Sequence, residues 1–364
     1  MSERLKISFI GIACWWMLLL PFDYTLFNWF FHSVQQPFFG MLKSLDETLI
    51  FETDTYGTYL LLSLSLILGL LSHFAVKWIC RKLQITPHDL LKTVLAGILF
   101  LFLFKYGWDK LVKLQFYMPE PNILYTPFGK LSKDIAYWSL TGSSYAYTVA
   151  LGIIEILTAL LLLFKRTQFL ASLLSISVFA QIVLINFSFD ISVKLLSASL
   201  LIFSLVYTSC FPENWKGILG LKNNPSFTKN TLNHRIVKGS FVLAMVLEST
   251  LPSFRYGNFN DDQFPRLEHH GAYEVLHSST IRRMFIHRDS YLIFESRQGE
   301  FADFKLDTGD TSQYRVPGKA ISCIWSANRN LLIINQDTFQ IRKIAYRNLP
   351  ILQESVHPFA DEFH

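Results

Sequence analysis

A chain of 364 residues that is 51% hydrophobic, 15% aromatic and only 17% charged, with 33 Phe and a mean hydropathy of +0.29, is too apolar for an ordinary soluble domain. Its formal net charge of +5 is modest, and no basic stripe interleaved with aromatic residues is present, which argues against a nucleic-acid-binding chain. Apolar stretches of about 20 residues, enough to cross a bilayer, recur through the first two thirds and then stop. The composition therefore predicts a polytopic membrane α-helical bundle followed by a small polar domain.

In chain order, about seven spans are predicted, at roughly 7–27, 56–78, 90–112, 144–164, 168–188, 191–211 and 236–253. The first begins with the basic "MSERLK", but the bulky "ACWWMLLLPFDYTLF" offers no small-residue cleavage site, so it reads as a retained span rather than a signal peptide. The last, "VKGSFVLAMVLESTLPSF", is short and carries Glu248; an interfacial helix is the alternative.

Loop charges set the orientation, because short cytoplasmic loops collect Lys and Arg. Arg4 and Lys6, then Lys77, Arg81, Lys82 and Lys92, then Lys165 and Arg166, then Lys216, Lys222, Lys229, Arg235 and Lys238 all fall on one side of the alternating path. Asp46, Glu47, Glu52 and Asp54 fall opposite. This places the N-terminus in the cytoplasm and the C-terminal domain outside. Residues from 253 onward hold 13 Lys+Arg against 14 Asp+Glu, so the positive excess belongs to the membrane part, which holds 20 against 14. Cys14, Cys80, Cys210 and Cys323 form no CxxC pair; only Cys323 lies outside, without a partner for a disulfide. Cys80 and Cys210 read as small buried apolar residues near cytoplasmic helix ends.

From about 272 to 346 the period changes. Short runs such as "RRMFIHR", "SYLIFES" and "NLLIINQ", separated by "RQGE", "DTGD" and "ANRN", predict a small antiparallel sandwich or barrel. His269, His270, His277 and His287, with Asp261 and Asp262, match no zinc or di-metal spacing, and no metal site is predicted. A phosphate-cradling loop and a nucleophile elbow are both absent from the sequence, so the domain reads as one that binds or braces a partner. Four segments result: 1–90 with two spans, 91–212 with a four-helix core, 213–253 with a basic loop and the last span, and 254–364 with a linker and the all-β extracytoplasmic domain.

Ionisable residues at membrane depth must face a protein interior. Glu155 lies about eleven residues, roughly 16 Å, from the outer end of its span. It shares a face with Gly152 and Ala159, whose small size admits another helix, and should point towards Gln181 or a Lys of a neighbouring span. Lys105 and Asp109 are spaced to pair on one face, and Asn186, Asp190 and Lys194 surround a tight turn in "LINFSFDISVKLLS". Together these six are the candidate ligand-binding or proton-relay residues. Pro119 and Pro121 then break the chain into a loop that would cover the cluster. In one reading Lys105, Lys110, Lys113 and Lys194 are snorkelling anchors and Glu155 is neutralised. In the other the cluster holds a quinone, a lipid head group or a small oxyanion, with Glu155 moving a proton.

Residues 105–205 also carry a family resemblance. The pattern YG..K....QF..P.PN from Tyr106 to Asn122, Pro127 and Gly129, the Gly142 turn, Glu155, Arg166-Thr167 and the Asn186, Asp190, Lys194 hairpin are similar to the four-helix core of DoxX-like membrane proteins, specifically the long members from Bacteroidota-type bacteria. That resemblance implies a fold more firmly than an activity. Some relatives are small subunits of thiosulfate:quinone oxidoreductases, some associate with oxidative-stress enzymes, and distant Surfeit-locus relatives carry secretory cargo. This chain lacks any cofactor motif, so electron chemistry would need a bound quinone or a partner subunit. Two functions are expected: an accessory or scaffold subunit of an envelope complex at the bacterial inner membrane, with a periplasmic β domain binding a protein partner, or a quinone- or lipid-binding subunit of an oxidoreductase. A proton-coupled transporter finds no inverted repeat in support.

Overall fold

The structure is a computed structural model of the full chain and describes residues 1–22, 25–218, 232–256, 269–288, 290–310, 313–315, 322–326, 331–334 and 337–352. Asp261, Asp262, Lys222 and Lys229 lie outside the described residues. The helices are α1 (Glu3–Leu19), α2 (Asn28–Leu45), α3 (Tyr56–Leu71), α4 (His73–Leu83), α5 (Pro87–Leu111), α6 (Pro121–Tyr125), α7 (Lys133–Ser143), α8 (Tyr145–Leu162), α9 (Gln168–Ser188), α10 (Lys194–Ser209), α11 (Pro212–Ile218) and α12 (Leu232–Tyr256). They and the sheet divide into a helical unit, Met1–Val112 with Val149–Gly257, and a β unit, Lys113–Thr148 with Asn258–His364. The sequence reading had kept 113–143 with the four-helix core; the segment instead folds with the sheet.

In the helical unit, α5, α8 and α9 are long and apolar enough to cross a membrane, and α3 with α4 is a fourth candidate if the bent pair is one span. The remaining predicted spans fall on α1 with 17 residues, on α10 with 16, and on α12, whose 25 residues include Arg235, Lys238, Glu248 and Arg255. Pro21 and Pro212 stand just beyond the ends of α1 and α10 and help to keep them short.

The predicted 56–78 span is bent by 55° at Ser72. Ser72 donates its hydroxyl back to the Gly69 carbonyl at 2.9 Å, the kind of Gly/Ser break that kinks helices. It lies beside the crossing of α1 and α3, where a Cβ on Gly11 would stand 2.5 Å from the Gly69 oxygen and a Cβ on Gly69 would stand 2.5 Å from the Ile12 Cα. Only two glycines allow backbones this close. The shared apolar core runs through Ile10, Trp16, Leu95, Leu99, Phe102, Phe179, Leu200 and Phe203, and also holds Cys80 and Cys210 as buried free thiols.

Two carboxylates accept from backbone N–H groups far away in sequence. Asp54 accepts from those of Lys194 at 2.7 Å and Leu195 at 2.9 Å, the orphan donors that open α10. Glu248, 2% exposed on α12, accepts from Thr25, from Leu26 at 2.7 Å and from Phe27 at 3.4 Å, in the turn that leads into α2. The residue that weakened the last predicted span is therefore part of its packing. Helix α2 falls where the sequence predicts only a loop between two spans; its Gln35 donates to the carbonyls of Leu18 and Leu20, closing the C-terminal end of α1.

In the β unit the strands are β1 (Gly271–Leu276), β2 (Ile281–His287), β3 (Tyr291–Ser296), β4 (Phe301–Lys305), β5 (Asp307–Asp310), β6 (Gln313–Arg315), β7 (Ser322–Ser326), β8 (Leu331–Ile334) and β9 (Asp337–Ile344). They form one antiparallel sheet in the order β4-β3-β2-β1-β9-β8-β7-β6-β5 rather than a two-sheet sandwich. Leu306 alone separates β4 from β5, yet these are the two ends of the sheet order, so the sheet coils until its ends meet there, as an incompletely paired barrel does. Tyr273, Val275, Met284, Ile286, Leu292 and Leu306 pack on one face; Ala272, Phe285 and Ile293 pack on the other with Leu124 and Tyr125 of α6. With both faces covered, β2 reads as a continuous apolar run, Met284-Phe285-Ile286.

Candidate functional site

On α8, Gly152, Glu155, Ala159 and Leu162 are buried while Ile153, Ile154, Leu157 and Leu160 are exposed. This is the arrangement expected of a membrane helix, with small and polar residues inward and aliphatic ones outward. A Cβ on Gly152 would lie 2.6 Å from the Gly107 oxygen of α5, and one on Gly107 would lie 2.9 Å from the Gly152 oxygen. The glycine pair brings the two backbones together, and three residues along each helix the side chains of Lys110 and Glu155 meet. Lys110 Nζ donates to Glu155 Oε2 at 2.8 Å, with both side chains almost wholly buried. Of the neighbours expected for Glu155, Gln181 or a Lys of a neighbouring span, the structure gives a Lys: Lys110, a snorkelling anchor in only one of the two readings of the sequence.

The other candidates form local pairs. Lys105 donates to both oxygens of Asp109, at 3.2 and 3.0 Å, as the i,i+4 spacing predicts. Asp109 interacts electrostatically with Lys110 and Glu155, so these four charges on α5 and α8 are one group. The hairpin residues have different partners. Asn186, 3% exposed, donates to Ser197 Oγ at 3.0 Å and to the Val193 carbonyl at 3.4 Å. Lys194 donates to Asp190 at 2.6 Å, with the Asp190 side chain 83% exposed. The hydrogen bonds thus split the predicted cluster into a buried pair with its neighbours and a hairpin brace.

The β unit holds a second concentration of polar groups, in which His270 and His287, weighed as metal ligands from the sequence, gather with Arg288 around Glu120, two residues that the sequence does not point out. Glu120, between Pro119 and Pro121, is 4% exposed and accepts from Arg288 Nε at 2.5 Å and from the Arg288 backbone N–H at 3.4 Å. His270 Nε2 lies at 2.9 Å, and His287 Nε2 at 3.9 Å. Burial alone would raise the Glu120 carboxyl, but the hydrogen bond and charge of His270 and the charges of Arg288 and His287 outweigh it and hold it at about 2. An ionised carboxylate only accepts, so His270 Nε2 carries a proton. The Tyr346 hydroxyl donates to the Pro119 carbonyl at 2.7 Å, fixing the same stretch from the other side. Lys113 is fully buried, donating to the Gly142 carbonyl at 3.1 Å and Thr148 Oγ1 at 3.2 Å, and burial lowers its ammonium to about 8.

Anchored this way, the segment from Asn122 to Lys130 roofs a solvent-open cavity of about 660 Å³ over the β2–β4 face. Its floor is His287, Tyr291, Ile293, Phe301 and Asp303, and the register pairs His287 with Tyr291 and Ile293 with Asp303, which places these side chains on one side of the sheet. Asn122, Thr126, Lys130 and Glu300 complete the lining. The β face was legible as strands, but its cover comes from more than 140 residues upstream, and no local signal joins the two.

Comparison with known proteins gives one curated relative: the match is 40% identical over 103 residues, 28% of this chain, to a Bacillus subtilis protein named "Uncharacterized protein YwoB". It covers 65% of that relative's length. No protein-family model matches the chain, and no solved structure matches it.

Proposed function

We propose that this is a DoxX-like polytopic inner-membrane protein, with a cytoplasmic N-terminus and its β unit on the periplasmic side, that acts as an accessory or scaffold subunit of an envelope complex and binds its partner through the β unit. The observation that carries this reading is a contrast. Lys105 and Lys110 of α5 are paired with Asp109 and with Glu155 of α8, Glu155 being committed to Lys110 at 2.8 Å, whereas the β unit has an open cavity lined by groups of mixed polarity. A buried ion pair closed in this way braces two helices. The alternative, a quinone- or lipid-binding redox subunit, is favoured by the proximity of Lys105, Asp109, Lys110 and Glu155, but moving a proton through Glu155 requires that pair to open.

The test is crosslinking in cells from a photoactivatable residue placed at exposed Asp303 on the cavity floor, compared with one at Ile154 on the outward face of α8. Discrete adducts from Asp303, diminished by Tyr291→Ala, are expected. Adducts from Ile154 alone would contradict the reading.

A further inference from the structure

Resting on the reading of the β unit as the binding module, we infer that its cavity is a saccharide site, taking a short polyhydroxylated chain rather than a small anion or an apolar molecule. At about 660 Å³ it falls in the range of small-ligand pockets, about 300–1,000 Å³. The lining fixes the chemistry. Tyr291 and Phe301 supply ring planes on which the C–H face of a sugar can lie.

Around them stand acceptors and donors together. Glu300 and Asp303 accept, the Lys130 ammonium donates, and the Thr126 hydroxyl, whose hydrogen is already given to the Asn122 carbonyl, accepts. Asn122 also lines the cavity, although its Oδ1 is shielded from solvent and lies out of reach of a ligand. Sugar hydroxyls both donate and accept, so they match this alternation. A small anion meets two carboxylates, and an apolar ligand would leave Glu300 and Asp303 unsatisfied.

The roof is also held in place. Lys130 donates to the Gly299 carbonyl at 3.2 Å across the β3–β4 turn, and the Thr126 hydroxyl donates to the Asn122 carbonyl at 2.9 Å. These bonds set the cavity before any ligand arrives, lowering the ordering cost of binding.

The experiment is calorimetric titration of the purified full chain in detergent with maltotriose, cellotriose and triacetylchitotriose. Saturable binding of at least one is expected, weakened tenfold or more in Tyr291→Ala, nearly retained in Tyr291→Phe, and unchanged in the helical-unit variant Glu213→Gln. Proteolysis of each variant checks that the β unit is folded. Absence of saturable binding to the folded protein, or equal affinity in Tyr291→Ala, overturns the assignment. If titration fails while the Asp303 crosslink persists, the saccharide class falls and the β unit stands as the binding module; if both fail, both readings fall.

Discussion

Lys110 and Glu155 show what a residue's surroundings do to its meaning. In sequence, Lys110 sits among the charges that end a helix, and Glu155 is an isolated acid in an aliphatic run; in the fold each is the other's partner at 2.8 Å. Removing one member leaves a buried charge uncompensated, at a cost of about 3–5 kcal/mol, whereas replacing both with apolar groups is close to neutral. Glu155→Leu should therefore lower the thermal unfolding temperature of the protein in detergent, and Lys110→Met with Glu155→Leu should regain most of it. No recovery would mean that the pair does more than brace α5 against α8. Glu120 behaves differently because it is held from four sides. Its folded value of about 2 lies below the ordinary 4.5, so its contribution is fully present above about pH 4.5 and is lost as pH falls through about 2. The shift corresponds to about 3 kcal/mol. Amide protection factors along 113–148, corrected for the intrinsic exchange rate at each pH, should fall on acidification across that window, and Glu120→Gln should show the lower protection already at pH 7. The face of Gly152, Glu155 and Ala159 and the Lys105–Asp109 pair were legible in sequence because helical spacing alone defines them. The identity of Glu155's partner was not, because it depends on which helix crosses at Gly152. His270 and Arg288 meet Glu120 across 150 and 168 residues of chain, and nothing near any of the three announces it.

Among the elements, a long-range carboxylate cap stands where a local capping residue is missing. Val193 before α10 has no capping side chain, and Asp54 supplies the acceptor instead. Loss of a cap costs about 0.5–2 kcal/mol. Asp54→Ala is expected to lower the unfolding temperature by that margin and Asp54→Asn by less, since the amide oxygen still accepts. A larger loss is expected from Gly152→Val, because even its Cβ would stand 2.6 Å from the Gly107 oxygen, and the crossing must widen and pull Lys110 from Glu155. The thermal shifts of the three variants give the ranking directly. Periodicity located the apolar helices well, but it ran through the Ser72 bend, because Ser72 and Gly69 matter only where Gly11 presses on them. The strands were legible from their β-branched and aromatic runs. Their assembly into one coiled sheet was not, since pairing β1 with β9 joins segments about 70 residues apart.

The whole molecule is a helical unit and a β unit interleaved in sequence, with the 113–148 segment contributed to the β unit from between two apolar helices. Deleting 260–364 would therefore leave that segment without its core, and point variants are the cleaner probes. The central claim is that the β unit binds and the charges on α5 and α8 support. The most direct measurement is native mass spectrometry of the tagged full chain purified in gentle detergent, with lipid extraction, for the wild type, Tyr291→Ala and Glu155→Gln. The account predicts a stoichiometric companion that survives Glu155→Gln and is lost in Tyr291→Ala. A quinone or lipid lost in Glu155→Gln and retained in Tyr291→Ala would contradict it and place the function in the bundle.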